Sequence, residues 1–545
     1  MKTKEPKQVF IYLPKTWEDN LRAKLKENPP EFEYDLDYFK YLGQLPYHIA
    51  SRSKDMDFED GYVPVHKATL SGRLHDYRKY LDYLVKNKLL EENKQYERGE
   101  YSGSIRYPAK YIKQHIVKSA LRKPTLVKSL TSNKTTNNTQ IEDGVDEADI
   151  NNYPYLTKWM SELTIDSKKA HEISKEIYEE ERRNPEKYKP KPQPWVDGKG
   201  RGRPKKGNYD YTEFRYRVRG ILIEKIKNGQ YTKGAPDDTT GRFHSILTRM
   251  KKQMRKAVKY INERFVSIDI VNSQPYFVVG ILDPNTFSNN TLQDKIFKYN
   301  EQLVTHYTSY YIKAKNHPNE NLEDENSTGW NQNNTKNTGS TIYIDFKNNK
   351  THETDITNNT NKLDNYINST TMIVNLIEQQ FGNEDVKKYI DWVVSGTFYE
   401  NFGKELIQKK LIDKDCADAR EEAKKMTFGI LFGKTDSTKR VKSCVKAFKE
   451  VFPSVFNITR LIKLGDAKYR PHAALACTMQ AFEAEIILKH CCAAIAYERP
   501  DLPIFTIHDS IVTTEGNEGY VQSVMEKTMR DLLGYVPQFK VEPWF

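Results

Sequence analysis

Two short stretches of this 545-residue chain hold residue types that do chemistry. Residues 503–515 read PIFTIHDSIVTTE, an apolar run broken by His508 and Asp509 and then resumed. Such a polar pair is either the turn of a hairpin between two β-branched strands or a pair of reactive groups held on a rigid element, and the stretch alone leaves both open. Residues 420–433 read REEAKKMTFGILFG. On an α-helix Arg420, Lys424, Phe428 and Phe432 recur every fourth position and share about one third of the circumference. Two cations followed by two rings on one stripe suit a nucleoside triphosphate lying along the helix, with phosphates toward Arg420 and Lys424 and base toward Phe428 and Phe432. A surface cation pair beside two core phenylalanines is the competing reading.

Taken together with a third stretch, these residues resemble the motifs of family A DNA polymerases, the class of bacterial DNA polymerase I. Arg420, Lys424, Phe428 and Phe432, followed by Gly433, resemble that family's fingers-helix motif, with Phe432 where tyrosine is usual. Phe265–Gln274, FVSIDIVNSQ, is similar to the first palm motif, a hydrophobic strand ending in a metal-binding aspartate, here Asp269. His508 and Asp509 resemble the third. Thr240-Gly241-Arg242-Phe243-His244-Ser245 is similar to the family's Thr-Gly-Arg-x-Ser-Ser segment, and Met479-Gln480 to its Met-Gln. The resemblance covers roughly 240–282 and 390–545.

What the resemblance implies is an α+β right-hand polymerase, with an antiparallel palm sheet and helical fingers and thumb. Its reaction is template-directed addition of deoxynucleoside triphosphates to the 3′-end of a DNA primer-template, with two Mg2+ ions for which Mn2+ can substitute. Asp269 and Asp509 bind the metals, assisted by the backbone carbonyl of Ile270. Arg420 and Lys424 hold the triphosphate, Lys424 also protonating pyrophosphate, while Phe428 and Phe432 stack on the incoming nucleotide. Arg242 reaches the minor groove at the primer end, Gln480 contacts the template side, and His508 touches the primer terminus. The chemistry requires convergence: two cations roughly 3.5 to 4 Å apart need carboxylates from both sides. Asp269 and Asp509, 240 positions apart, become neighbours if their strands pair in one sheet.

Three departures bear on substrate choice. Counted without gaps, the family's ribonucleotide-excluding glutamate falls on Gln274; a two-residue insertion moves it to Tyr276, and Gln274 is preferred as an amide of nearly the same shape. The third motif ends in Ser510 rather than glutamate, as in single-subunit phage-type RNA polymerases, and Phe432 replaces tyrosine. An RNA polymerase or primase-like enzyme using ribonucleotides is therefore the nearest alternative. A non-catalytic DNA-binding replication initiator is the alternative from another class. The first 240 residues show no paired Asp-x-Glu strand of a proofreading exonuclease, and the amino-terminal part suits a replication protein of a phage or mobile element.

The elements that must position these residues group as follows. Residues 38–115 resemble a winged-helix DNA-binding domain: Leu74, Tyr77, Leu81 and Leu84 share one face of a helix, and a polar, Gly-containing excursion then suggests a hairpin wing. Residues 116–145 form a linker and 146–260 a thumb-like helical region. Its basic loop, 197–207, contains Arg201-Gly202-Arg203-Pro204, similar to an AT-hook arm for the minor groove. The palm begins at 261–282 and resumes at 441–545; between lie an Asn/Thr-rich insertion, 283–370, expected to be largely unstructured, and the fingers, 371–440.

The composition fits this organisation. Lys and Arg number 86 against 74 acidic residues, a formal charge of +12 with pI near 9.0, which favours anionic partners such as nucleic acid. No run approaches the roughly 18 apolar residues of a membrane span, and the first residues lack a secretion-signal core, so a cytoplasmic enzyme without membrane contact is expected; oligomeric state is unknown. The five cysteines, Cys416, Cys444, Cys477, Cys491 and Cys492, have no metal or disulfide spacing.

Overall fold

The computed structural model describes residues 9–52, 58, 61–93, 103–131, 153–188, 209–231, 233–289, 291–292, 374–413, 418–433, 439–463 and 473–545. Outside them lie Arg201 and Arg203 of the basic loop, nearly all of the Asn/Thr-rich insertion, the tip of the expected wing and Cys416. The protein mixes helices with small antiparallel sheets. It divides into two compact units, Met1–Ser273 with Glu483–Phe545, and Gln274–Phe482.

The first unit opens with β1 (Val9–Pro14), α1 (Trp17–Glu27), α2 (Leu36–Ala50), β2 (Val63–Pro64), α3 (Lys67–Arg73), α4 (Tyr77–Lys86), β3 (Glu91–Asn93), β4 (Ser104–Arg106), α5 (Ala109–Ile112), β5 (Ile116–Leu121) and α6 (Pro124–Thr131). β1 pairs antiparallel with β5, and β2, β4 and β3 form a sheet in that order. Trp17, fully buried, donates from Nε1 to the Leu89 carbonyl at 3.0 Å. A Cβ at position 43 would sit 2.2 Å from its ring, so this close approach of α2 requires Gly43. Two sequence expectations are corrected here. Leu74 does not lie on the helix that carries Tyr77, Leu81 and Leu84: the chain breaks at Leu74–Asp76, and Leu74 is buried as the residue closing α3, its N–H bonded to the Leu70 carbonyl. Helical spacing placed it correctly on the core side without fixing which helix it belongs to. The stretch read as linker from 116 begins instead with β5 and α6, because the half-buried Ile116–Leu121 finds β1 as an antiparallel partner.

Next come β6 (Leu163–Ile165), α7 (Ser167–Arg183), α8 (Tyr211–Lys227), β7 (Ala235–Pro236), β8 (Phe243–His244), β9 (Val258–Tyr260) and β10 (Phe265–Ile270). Asp166 and Asp210 cap α7 and α8, accepting from the Lys169 and Glu213 N–H groups at 3.0 Å each. These two helices pack around a buried ion pair, Arg219 Nη1 to Glu181 Oε1 at 3.1 Å. Arg215 lies 3.7 Å from the same carboxylate.

The second unit contains α9 (Ser273–Leu282, from Gln274 onward), α10 (Glu384–Val394), α11 (Phe398–Gln408), α12 (Ala419–Phe432), α13 (Lys439–Val451), α14 (Pro453–Lys463) and most of α15 (Ala474–Ala484). Its centre is a set of packed rings, Tyr389, Phe398, Phe402, Phe448 and Phe452. The chain then re-enters the first unit through a π-helical segment, Glu485–Cys491, followed by α16 (Cys492–Glu498), β11 (Ile504–Ile507), β12 (Ser510–Thr514), α17 (Glu518–Leu533) and β13 (Phe539–Pro543). Strands β11, β12, β10 and β13 make one four-stranded antiparallel sheet in that order, with α17 packed on β10 and β12.

The Arg219 and Glu181 pair gives a stability test. Glu181→Ala leaves Arg219 and Arg215 buried without their counter-charge, which costs about 3–5 kcal/mol. The expected readout is a clear fall in the urea midpoint of the first unit; an unchanged midpoint would mean that water replaces the carboxylate.

Candidate active site

The sheet brings the two aspartates together through its register. β10 and β12 run antiparallel with Asp269 facing Ser510, so Asp509 lies one residue from the facing position. Ile507 and Ser510 are themselves paired across β11 and β12. His508 and Asp509 are therefore the two-residue loop of a tight hairpin, which puts a carboxylate one residue from the position facing Asp269. His508 has φ +57°, the left-handed geometry that two-residue hairpins use. Asn272, three residues beyond Asp269, has the same φ of +57°. Each aspartate thus sits next to or near a left-handed non-glycine residue, a strain of about 1–2 kcal/mol at each that clusters at functional sites.

Hydroxyl groups hold Asp269. Ser267 Oγ donates to its Oδ2 at 2.9 Å, from two positions earlier on the same face of β10, and Ser510 Oγ donates to its Oδ1. Asp509 is half-buried. Burial pushes its carboxyl up, and Asp269 adds repulsion in the same direction; a hydrogen bond from Ser273 and the positive charge of Arg242 act against this. Asn272 is buried, and among the described residues neither atom of its amide has a hydrogen-bond partner. Arg255 is also buried: burial lowers its affinity for the proton, while Asp269 and Glu542 raise it.

Arg242 belongs to the turn joining β7 and β8, and His244 to β8 itself, facing Ala235. Arg242 Nη2 donates to Oε2 of fully buried Glu483 at 2.6 Å, so this guanidinium is anchored, with its Nε unpartnered among the described residues. The turn closes on Asp237, which accepts from the Thr239 and Thr240 N–H groups at 3.0 and 2.6 Å and from Thr240 Oγ1 at 2.7 Å. His244 Nε2 lies 3.2 Å from Asp237 Oδ2, and the His244 and His508 rings meet edge to face with centroids 6.0 Å apart. Burial alone would push the Asp237 carboxyl up; bonds from His244 and Thr240 outweigh it and hold it at about 2.

The stripe of Arg420, Lys424, Phe428 and Phe432 lies on α12 of the second unit. Its buried face is Ala423, Met426, Thr427, Ile430 and Leu431. Arg420 is exposed, whereas Lys424, Phe428 and Phe432 are half-exposed, and the two rings stack at 5.5 Å. The phenylalanines are thus outside the core. Arg420 Nε donates to Glu400 Oε1 at 2.6 Å and Nη1 to Glu421 Oε1 at 3.2 Å. Lys424 makes no hydrogen bond or ion pair among the described residues. Gln274 is half-buried at the start of α9 and Tyr276 is fully buried there, so of the two alternatives for the sugar gate Gln274 is the accessible one. Gln480 is half-buried on α15 beside fully buried Met479. Ile270 is buried at the end of β10, paired with Phe539 of β13.

Sequence reasoning missed Asp237, His244 as a site neighbour, Asn272, Ser267 and Glu483. Ser267 was within reach, two positions from Asp269 on a strand. Glu483 was not, since it meets Arg242 across 241 positions. Among the described residues no group of three or more His, Cys, Asp and Glu side chains could hold a metal, and no helix is long and apolar enough to cross a membrane.

No protein-family model and no curated protein sequence matches the chain. Among solved structures, the polymerase domain of Pol1 from M. smegmatis, in complex with DNA primer-template and dNTP, superposes with a TM-score of 0.35 at 11% identity, over 71% of this chain and 69% of that one. A likeness of that size carries no functional weight.

The raised Asp509 carboxyl predicts a sign. A carboxyl raised above its unfolded value supports folding below the unfolded pKa and loses that support as pH rises through the folded one. Once it ionises, Asp509 therefore opposes folding. Asp509→Asn is expected to melt above wild type near neutral pH in a chelator, with the gap closing as pH falls into the carboxylate range; a variant melting lower at neutral pH contradicts this.

Proposed function

We propose that this chain is a template-directed DNA polymerase of the family A type, without a proofreading exonuclease, that adds deoxynucleotides to a primer 3′-end. The observation that carries the reading is the pairing of β10 with β12, which sets Asp509 one residue from the position facing Asp269. Supporting it, the cation and ring stripe of α12 is turned away from that helix's buried face. Charge of +12 suits a polyanionic partner.

Magnesium, with manganese as a substitute, fits the aspartate pair. Both donors are hard carboxylate oxygens, and burial together with the charge of Asp269 pushes the Asp509 carboxyl up, which a cation would counter. Such ions, two in this class of reaction, supply hydroxyl activation and phosphate charge neutralisation when bound. The remaining roles fall to side chains. Asp269 and Asp509 hold the ions, with the Ile270 carbonyl assisting, and Ser267 and Ser510 fix the orientation of Asp269. Arg420 and Lys424 bind the triphosphate, Lys424 delivering a proton to the leaving pyrophosphate. Phe428 and Phe432 stack on the incoming base. His508 and Arg242 serve the primer end, Gln480 the template and Gln274 the sugar gate. Arg201 and Arg203 stay proposed as minor-groove contacts.

For residues 38–115 duplex-DNA binding is supported by the order α2, β2, α3, α4, β3, β4 and by the sheet order β2, β4, β3, which match a winged helix. Against a phosphate footprint on α4, Arg78 is paired with Asp82 and Glu92, and Lys79 with Asp76.

Extension of a labelled primer, with dNTPs and NTPs offered separately, tests the reading. Wild type is expected to extend with dNTPs in Mg2+, Asp269→Ala and Asp509→Ala to fall to background, and Lys424→Ala to lose about 10²- to 10⁴-fold. Extension with NTPs alone would instead identify the ribonucleotide enzyme. No incorporation in Mg2+ or Mn2+, with duplex binding intact in Asp509→Ala, would identify a DNA-binding initiator.

A second outcome concerns Arg420. The triphosphate must displace Glu400 from its guanidinium, so Glu400→Gln is expected to lower the nucleotide KM about two- to fivefold, the scale of an exposed ion pair, with kcat little changed. A raised KM would show that Glu400 presents Arg420 rather than competing for it.

A further inference from the structure

The turn between β7 and β8 contains more than closing itself requires. Asp237 N–H bonds to the Arg242 carbonyl at 3.0 Å, Gly241 N–H to the Asp237 carbonyl at 2.9 Å, and Gly241 takes the left-handed φ of +74°. The Asp237 side chain further accepts from both Thr239 and Thr240. These bonds fix the turn without His244. Yet His244, standing where the resembled Thr-Gly-Arg-x-Ser-Ser segment has serine, brings Nε2 to 3.2 Å from the same carboxylate and its ring edge to face with His508, the residue next to Asp509. The His244 side chain is 42% exposed and the Asp237 side chain 11%.

The chemistry of that contact fixes the tautomer of the neutral imidazole. The Asp237 carboxyl, held at about 2, is ionised at neutral pH and can only accept a hydrogen bond. The hydrogen on Nε2 therefore belongs to His244, and in the neutral ring Nδ1 is an acceptor. No hydrogen bond to Nδ1 occurs among the described residues. An acceptor on a half-exposed ring, beside a histidine adjacent to Asp509, complements a hydroxyl donor. Of the groups on a DNA primer terminus, the 3′-hydroxyl is that donor.

We propose that His244 is a second imidazole at the primer end, accepting a hydrogen bond from the 3′-hydroxyl of the terminal nucleotide, and that Asp237 is the positioning residue that fixes its tautomer. This rests on the polymerase reading and adds to it a residue and a chemical role. No bond is made or broken by His244: it holds the hydroxyl.

The test separates binding from chemistry. Two labelled primer-templates, one ending in a 3′-hydroxyl and one in 3′-deoxy, are titrated with wild type, His244→Ser, His244→Phe and Asp237→Asn in Mg2+ without nucleotide, and binding is read by fluorescence anisotropy. One hydrogen bond is worth about 0.5–1.5 kcal/mol, so wild type is expected to prefer the hydroxyl-ended primer about two- to twelvefold. His244→Phe, which keeps a ring against His508 but has no acceptor, is expected to bind the two primers equally, and Asp237→Asn to lose most of the preference. In single-nucleotide extension at varied primer concentration, His244→Ser should raise the primer KM by the same factor and leave the dNTP KM unchanged. Equal binding of both primers by wild type, or a preference retained in His244→Phe, overturns the assignment even where wild type extends primers efficiently. Failure of wild type to extend any primer overturns the polymerase reading and this inference with it.

Discussion

Burial of one carboxylate, Asp509, beside a second, Asp269, is the constraint on which the candidate site of the first unit depends. Asp509 would escape it by turning into solvent if its backbone were loose. It cannot, because it is the second residue of a two-residue hairpin whose flanking strands are buried along their length. Asp269 is fixed equally, on a central strand paired on both edges. The compensation comes in small pieces: three serine hydroxyls, at 267, 273 and 510, and two guanidiniums, Arg242 and Arg255. None neutralises the pair directly, so the negative potential remains available to a cation, at a cost in stability of the kind binding sites accept.

The supports are themselves anchored at long range. The charge of Arg242 acts on Asp509, and its guanidinium is anchored on wholly buried Glu483. Removing Arg242 takes a counter-charge from a buried carboxylate, which is far costlier than the loss of an exposed pair. Arg242 therefore bears on fold as well as on site, and an effect of its substitution on synthesis would have to be separated from an effect on the packing of Glu483.

Much of this was legible in the sequence, and the boundary of legibility is physical. The fourfold spacing of Arg420, Lys424, Phe428 and Phe432 gave a helix, which runs over Ala419–Phe432 with that stripe off its buried face. Local chemistry sufficed there, since a helix satisfies its own hydrogen bonds. The PIFTIHDSIVTTE stretch likewise announced a hairpin, because strand propensity and a polar pair of two are local signals. What sequence left open was whatever depends on partners far along the chain: the seat of β13 on the free edge of β10, the β1 and β5 pairing inside an apparent linker, and the meeting of Arg242 with Glu483. The left-handed Asn272 was also invisible, since backbone geometry at one residue is set by what the two flanking elements must reach.

The serine at position 510 is best understood through charge. A carboxylate there would face Asp269 directly and add a third negative group to a pair already in repulsion. The hydroxyl donates a hydrogen bond to Asp269 instead. On the opposite edge of β10, Glu542 faces Ser267 but is matched separately by Lys252 at 2.6 Å and Lys540 at 3.8 Å; although burial opposes it, those cations and Arg255 hold its carboxyl below the usual range. The sheet thus carries Asp269 on β10 and Asp509 in the adjoining hairpin loop, while Glu542 on β13 is matched by lysines. Were the proposed magnesium held there, two protein carboxylates would leave its remaining positions to water and phosphate oxygens, the arrangement magnesium prefers when its substrate brings oxygens of its own.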